Sequence, residues 1–190
     1  MEMIALQGYT ATGLDAVLKR AGVPKGSFYH HFGSKEEFGL AVIEEFSRRF
    51  LSRLDVFLSD PSLTPLTRIR IFLQRGLERL AEHQCTVGCL IGNLGQELSG
   101  QNERIRISID GILFSWKERF ARCIGEAQQG GELPPSLDPL VIAGFILSGW
   151  EGAVLTAKVM KSPKPVEDFI GTLFTTVLKP ETPTTPQPRG

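Results

Sequence analysis

Apolar residues recur at spacings of three and four along most of the chain, the period of one face of an α-helix, and no run alternates apolar with polar as a half-buried strand would. The pattern predicts an all-α protein. Breaks at Gly8, Gly13, Gly22-Val23-Pro24, Gly33-Ser34, Ser59 to Pro65, Gly88, Gly130-Gly131, Pro134-Pro135 and Ser162-Pro163 bound about nine helices. Near the N-terminus, Leu14, Val17 and Leu18 write a short helix over 12–21, with Thr12 and Asp15 spaced as a capping pair. Gly22-Val23-Pro24 forces a turn, since glycine accepts a positive φ and proline can begin a helix but not continue one. A second helix over about 25–32 turns Phe28 and Phe32 inward and Lys25, Ser27, Tyr29 and His30 outward. Ser34-Lys35-Glu36-Glu37 then opens a long helix to about Ser59, with Phe38, Val42, Phe46, Phe50 and Leu54 facing the core.

The most apolar stretch, 140–160, is interrupted by Ser148, Glu151 and Lys158, which argues against a membrane span. Gly144, Ser148 and Gly152 stand four apart on one face of it, next to Leu140, Phe145, Leu147 and Val154. Small residues at that spacing admit a second helix closely, so this face is expected at a dimer interface, or else in close packing inside one subunit. Residues 163–178 read as its packing partner. After Leu178 the sequence is too poor in apolar groups to offset its ordering entropy, and disorder is expected over 179–190.

Composition narrows the class. The 190 residues carry 21 Lys+Arg against 21 Asp+Glu and are 42% hydrophobic, which excludes disorder throughout and fits one soluble domain or two small ones. With no net charge, affinity for nucleic acid has to come from a local patch. Lys19, Arg20, Lys25 and Lys35, opposed by Asp15, make one around the predicted helix-turn-helix. The 3 cysteines fit a reduced compartment, and the first residues lack the pattern of a signal peptide; a cytoplasmic location is expected.

A short polar helix after such a turn suits the major groove of B-DNA, although helix-turn-helix geometry also occurs in helical proteins that bind no DNA. The residues Gly8-Tyr9-Thr10-Ala11-Thr12, then Ala21-Gly22-Val23-Pro24-Lys25-Gly26-Ser27-Phe28-Tyr29-His30-His31-Phe32 and Ser34-Lys35-Glu36, closely resemble the DNA-binding domain of the tetracycline-repressor (TetR) family over about residues 8–48. The resemblance implies a three-helix DNA-binding domain at 1–48, an effector-binding and dimerisation domain at 49–178, and a homodimeric repressor on a palindromic operator of double-stranded DNA. It places Lys25, Gly26, Ser27, Tyr29 and His30 against bases and phosphates, His31 and Lys35 against phosphates, and Thr12 as the cap of the supporting helix near the DNA backbone. The family usually has a full helix with basic residues ahead of Gly8; here Met1 to Gln7 precede it, so either the start is truncated or the basic arm is absent, and in the second case weaker phosphate contact is expected.

In the second half, Cys89 follows Gly88 at the start of a predicted helix, where the helix dipole favours a thiolate. The Gly88-Cys89-Leu90 setting, with Trp150-Glu151-Gly152-Ala153 and Ala157-Lys158, is similar to a TetR subgroup that senses electrophiles or oxidants through cysteine. Lys158 would lower the Cys89 pKa if it lay close. The alternatives are a small-molecule effector bound reversibly, with Cys89 a buried apolar residue, or a helical interaction protein without specific DNA binding. Asn93, Gln96, Trp116, Phe120 and Trp150 would line a small cavity, or Trp116 and Phe120 would simply be core, as Cys123 is expected to be. Cys85, Cys89 and His83 lack the fourth ligand of a zinc site. No cofactor and no enzymatic motif is implied: glycine-rich nucleotide loops and nucleophile elbows are absent from the sequence, and the histidines are not set among catalytic partners.

Overall fold

A computed structural model describes residues 1–179; of the disorder expected over 179–190, all but the first residue lies outside the described residues. Within them are nine α-helices and no strand: α1 (Glu2–Gln7), α2 (Leu14–Ala21), α3 (Lys25–His31), α4 (Lys35–Leu58), α5 (Pro65–Glu82), α6 (Leu90–Leu98), α7 (Glu103–Gln129), α8 (Pro139–Met160) and α9 (Lys164–Thr172), the last running on as a π-helical segment, Leu173–Val177.

The ends of the helices follow the local chemistry. Gly22 closes α2 in the left-handed region at φ 66, and Ser34 caps α4 by accepting from the Glu37 amide at 3.1 Å. Glu37 reaches back to the Gly33 amide at 2.8 Å, one residue earlier than the usual reciprocal cap. The predicted cap of α2 is corrected: α2 begins at Leu14 after Gly13, and Thr12, 2% exposed, turns its hydroxyl inward to the Gly8 carbonyl at 2.5 Å. A buried hydroxyl needs an acceptor, and the turn at Gly8 supplies one. Thr12 therefore offers no side chain to DNA.

The core lies in the second half. The 27-residue α7 packs on α8, α4 and α5, and α8 packs on α9. Trp116 and Phe120 are 1% exposed there; Trp116 stacks on Phe50 with centroids 4.0 Å apart, and Phe72 meets Phe120 edge-on at 5.7 Å. These two residues are core, the second of the two readings open for them. Cys123 is core as expected, its Sγ 3.3 Å from the Pro65 carbonyl oxygen and its pKa pushed up to about 12, first by burial. On α8 the close approach to α9 occurs at Gly149, where an added Cβ would meet the Phe169 ring at 2.4 Å. Gly144 is partly covered, and Ser148 and Gly152 are exposed, so the predicted small-residue stripe runs on the outer side of the helix. Leu140, Val141, Phe145, Leu155, Val159 and Met160 are exposed on α8 as well.

Candidate DNA interface and sensor site

Helix α3 is held by one buried residue, Phe28, which meets Phe32 and Phe38 at centroid distances of 5.3 and 5.6 Å. With that face fixed, Lys25, Gly26, Ser27, Tyr29, His30 and His31 are all exposed, Tyr29 at 53%. The Lys25 ammonium lies 2.9 Å from Asp15 with both side chains in solvent, a contact that a phosphate can displace. Lys35 departs from the expectation of an open phosphate contact: its Nζ donates to the Tyr9 carbonyl at 3.1 Å and sits 4.7 Å from the Tyr9 ring centroid, while the Tyr9 hydroxyl donates to the Lys35 carbonyl at 2.6 Å. Lys35 thus fastens the start of α4 to the α1–α2 turn.

That head is tied to the second domain by two clamps. Glu97, near the end of α6, accepts from the Tyr9 amide at 2.8 Å and from the Thr10 amide at 2.7 Å. Burial alone would raise the Glu97 pKa, but Thr10 and the Tyr9 amide outweigh it and hold the carboxyl below its ordinary 4.5. Glu36, in the first turn of α4, accepts from Asn102 at 2.7 Å and Arg104 at 2.8 Å. Asn102 is the N-cap of α7, so both clamps sit at the junction between α6 and α7.

Cys89 lies at the other end of α6, as its N-cap. The predicted thiolate is corrected. The amides of Ile91 and Gly92 do point at the sulfur, but burial first, and then the field of the Glu151 carboxylate, push the Cys89 pKa well above the ordinary thiol value. The thiol hydrogen-bonds to Glu151, whose own pKa is raised by burial. An added Cβ at position 92 would lie 2.1 Å from the Glu151 Oε2, so a larger residue there would displace the carboxylate. Lys158 does come close, but it is held at Asn93, Nζ to Oδ1 3.3 Å, with its chain against Gly88. Cys89, Asn93, Glu151 and Lys158 therefore form one cluster between α6 and α8. Trp150, next to Glu151 in the chain, packs instead on Gly76 of α5.

The head and the helical second domain match known proteins along most of their length. A model described as bacterial regulatory proteins, tetR family, matches residues 1–42, and one described as tetracyclin repressor-like, C-terminal domain, matches residues 65–173. The chain belongs to the TetR family. It is 43% identical over 172 residues to the transcriptional regulator AcuR of Cereibacter sphaeroides, covering 90% of this chain and 78% of AcuR, and 34% identical to the transcriptional repressor DhaR of a Mycobacterium species over 90% and 85%. The crystal structure of Escherichia coli NemR in its reduced form superposes with a TM-score of 0.87 at 30% identity, over 97% of this chain and 94% of NemR. This regulator is accordingly a DNA-binding transcriptional repressor with an effector domain, of a family that is not enzymatic.

Glu36, Glu97 and Glu151 were given no site role from the sequence, although Glu36 and Glu151 stand inside runs that the resemblance rests on. Glu151 had a signal, a lone acid inside the apolar stretch 140–157, because a charge is kept in such a setting only where something meets it. Glu97 and Glu36 had none, since an acid on an amphipathic helix is ordinary.

Proposed function

We propose that this repressor releases its operator when a small electrophile engages Cys89, and that α6 carries the change to the DNA-binding head. The observation that carries this reading is the placement of one short helix: Cys89 and its acid partner at the first turn, and Glu97 gripping the Tyr9 and Thr10 amides in the last. A helix of that length spans roughly 12 Å, so an adduct that displaces its start moves its end against the head. The likeness to NemR, solved in a form called reduced, supports a thiol-centred response.

Residues 1–48 act as the DNA-reading domain and 49–178 as the effector and dimer domain, in a cytoplasmic homodimer on a palindromic operator. Lys25, Gly26, Ser27, Tyr29, His30 and His31 carry the contacts, with Lys35 in support. The 22-residue α8 is long and apolar enough to cross a membrane; a second copy laid against Gly144, Ser148 and Gly152 covers its exposed face instead, in keeping with the dimers typical of the family.

The test is fluorescence anisotropy on a promoter fragment from beside the gene, with and without acrylamide as the electrophile. Wild type is released. Cys89→Ser and Glu97→Gln bind the fragment but stay bound on treatment. Release of the Cys89→Ser variant refutes the covalent reading and leaves a reversibly bound ligand; release of Glu97→Gln refutes the relay.

A further inference from the structure

Glu151 is the single acid of α8, half-buried, with its Oε2 over the first turn of α6. Burying a carboxylate is costly unless it is met by a donor, and the donor here is a thiol. We propose that Glu151 is the base that takes the Cys89 proton when an α,β-unsaturated carbonyl compound reaches the site. This deepens the reading of Cys89 as the effector-responsive residue and rests on it.

Three features support the assignment. The Glu151 Oε2 lies over the first turn of α6, where a Cβ built on Gly92 would meet it at 2.1 Å and the Cys89 Cβ at 3.7 Å, so the carboxylate stands beside the thiol to take its proton while the amides of that turn face the negative charge left behind. Position 92 has no side chain, which lets the carboxylate lie directly on the first turn of α6. The facing cation, Lys158, is held at Asn93 and leaves the thiol to the acid. At rest the thiol stays protonated, and a protonated thiol is a poor nucleophile; reaction therefore needs a proton acceptor at the moment of attack. Sγ bonds the β-carbon, the π pair of the C=C bond moves toward the carbonyl as an enolate, and the thiol proton passes to Glu151 and from there to the α-carbon. The net step adds S–H across C=C, with no oxidant and no leaving group.

The test is the rate of acrylamide addition to Cys89 in the full chain, followed by peptide mass mapping from pH 5 to 9, with buried Cys85 and Cys123 read in the same digests. Glu151→Gln is expected to slow the reaction roughly a hundredfold at pH 7, a typical general-base contribution, and Glu151→Asp to restore part of it. If Glu151 only repelled charge, its removal would lower the thiol pKa and speed the reaction; an equal or faster Glu151→Gln variant overturns the proposal. The wild type gives a second readout that needs no variant. Its rate should rise as the carboxyl ionises and then level, whereas a rate climbing tenfold per pH unit up to pH 9 means free-thiolate chemistry and overturns the base role. Glu151-dependent addition that leaves the operator bound upholds the base and refutes the release mechanism instead.

Discussion

The recognition helix and the Cys89 cluster use polar residues in opposite ways. On α3, six of seven consecutive residues stand exposed, and a single buried ring, Phe28, orients them. In the cluster, Cys89 and Asn93 come from α6 while Glu151 and Lys158 come from a helix some sixty residues on, and each polar group has a partner inside the protein. A surface that meets an outside ligand leaves its donors in water; a site that responds by rearranging keeps them bonded to one another. The first is set by local periodicity, the second by how two distant helices pack.

The strongest way to break the comparison is to separate the two heads. Phe145→Asp, on the exposed face of α8, should yield a monomer by analytical ultracentrifugation and lower operator affinity about 10² to 10⁴-fold, the range lost when paired binding becomes single. Within one head, Tyr29→Ala should weaken operator binding about 10 to 100-fold at matched salt, as expected for a base-edge contact. Lys25→Ala should weaken all sequences alike and reduce the salt slope by about one.

Paired glycine substitutions sharpen the contrast. A Cβ at Gly92 collides with Glu151, whereas one at Gly26 meets nothing within 4 Å. Gly92→Ala should displace the Glu151 carboxylate from the first turn of α6 and change the rate of acrylamide addition to Cys89, while the helix-propensity gain of alanine, about 0.5–1 kcal/mol, keeps the melting temperature near that of the wild type. Gly26→Ala should not lower the melting temperature, since alanine is the better helix former, and on the proposed DNA-reading role of α3 it should weaken operator binding.

Smaller effects follow from pH and from the aromatic core. Because the folded pKa of Glu97 is lowered from 4.5, its clamp contributes fully above that value and is lost as pH falls through the lower folded one. Amide exchange at Tyr9 and Thr10 should thus stay slow at pH 5 and quicken only in stronger acid, and Glu97→Gln should remove that dependence. The buried Trp116 indole N–H has no hydrogen-bond partner, so Trp116→Phe should change stability little, by less than about 1.5 kcal/mol, while Phe120→Ala should cost about 3–5 kcal/mol; chemical denaturation separates the two.

Much of this was legible in the residues. Gly22-Val23-Pro24, the capping serine at 34 and the three-and-four spacing of apolar groups depend on neighbours within a turn or two, so they read correctly from the chain. Thr12 misled because a capping side chain and a buried one have the same composition, and only the turn at Gly8 shows which carbonyl the hydroxyl finds. Cys89 misled because its helix position does favour a thiolate, yet burial, and then an acid sixty residues away, reverse the balance. The sequence by itself determined the helical class, the exposed polar face of α3 and the apolar face of α8, all of which follow from short-range periodicity. Tertiary structure alone decided that Cys89 is a paired thiol, that Lys35 fastens Tyr9 and that Glu97 links α6 to the head, because hydrogen bonds and pKa shifts depend on distances between helices that no local pattern encodes.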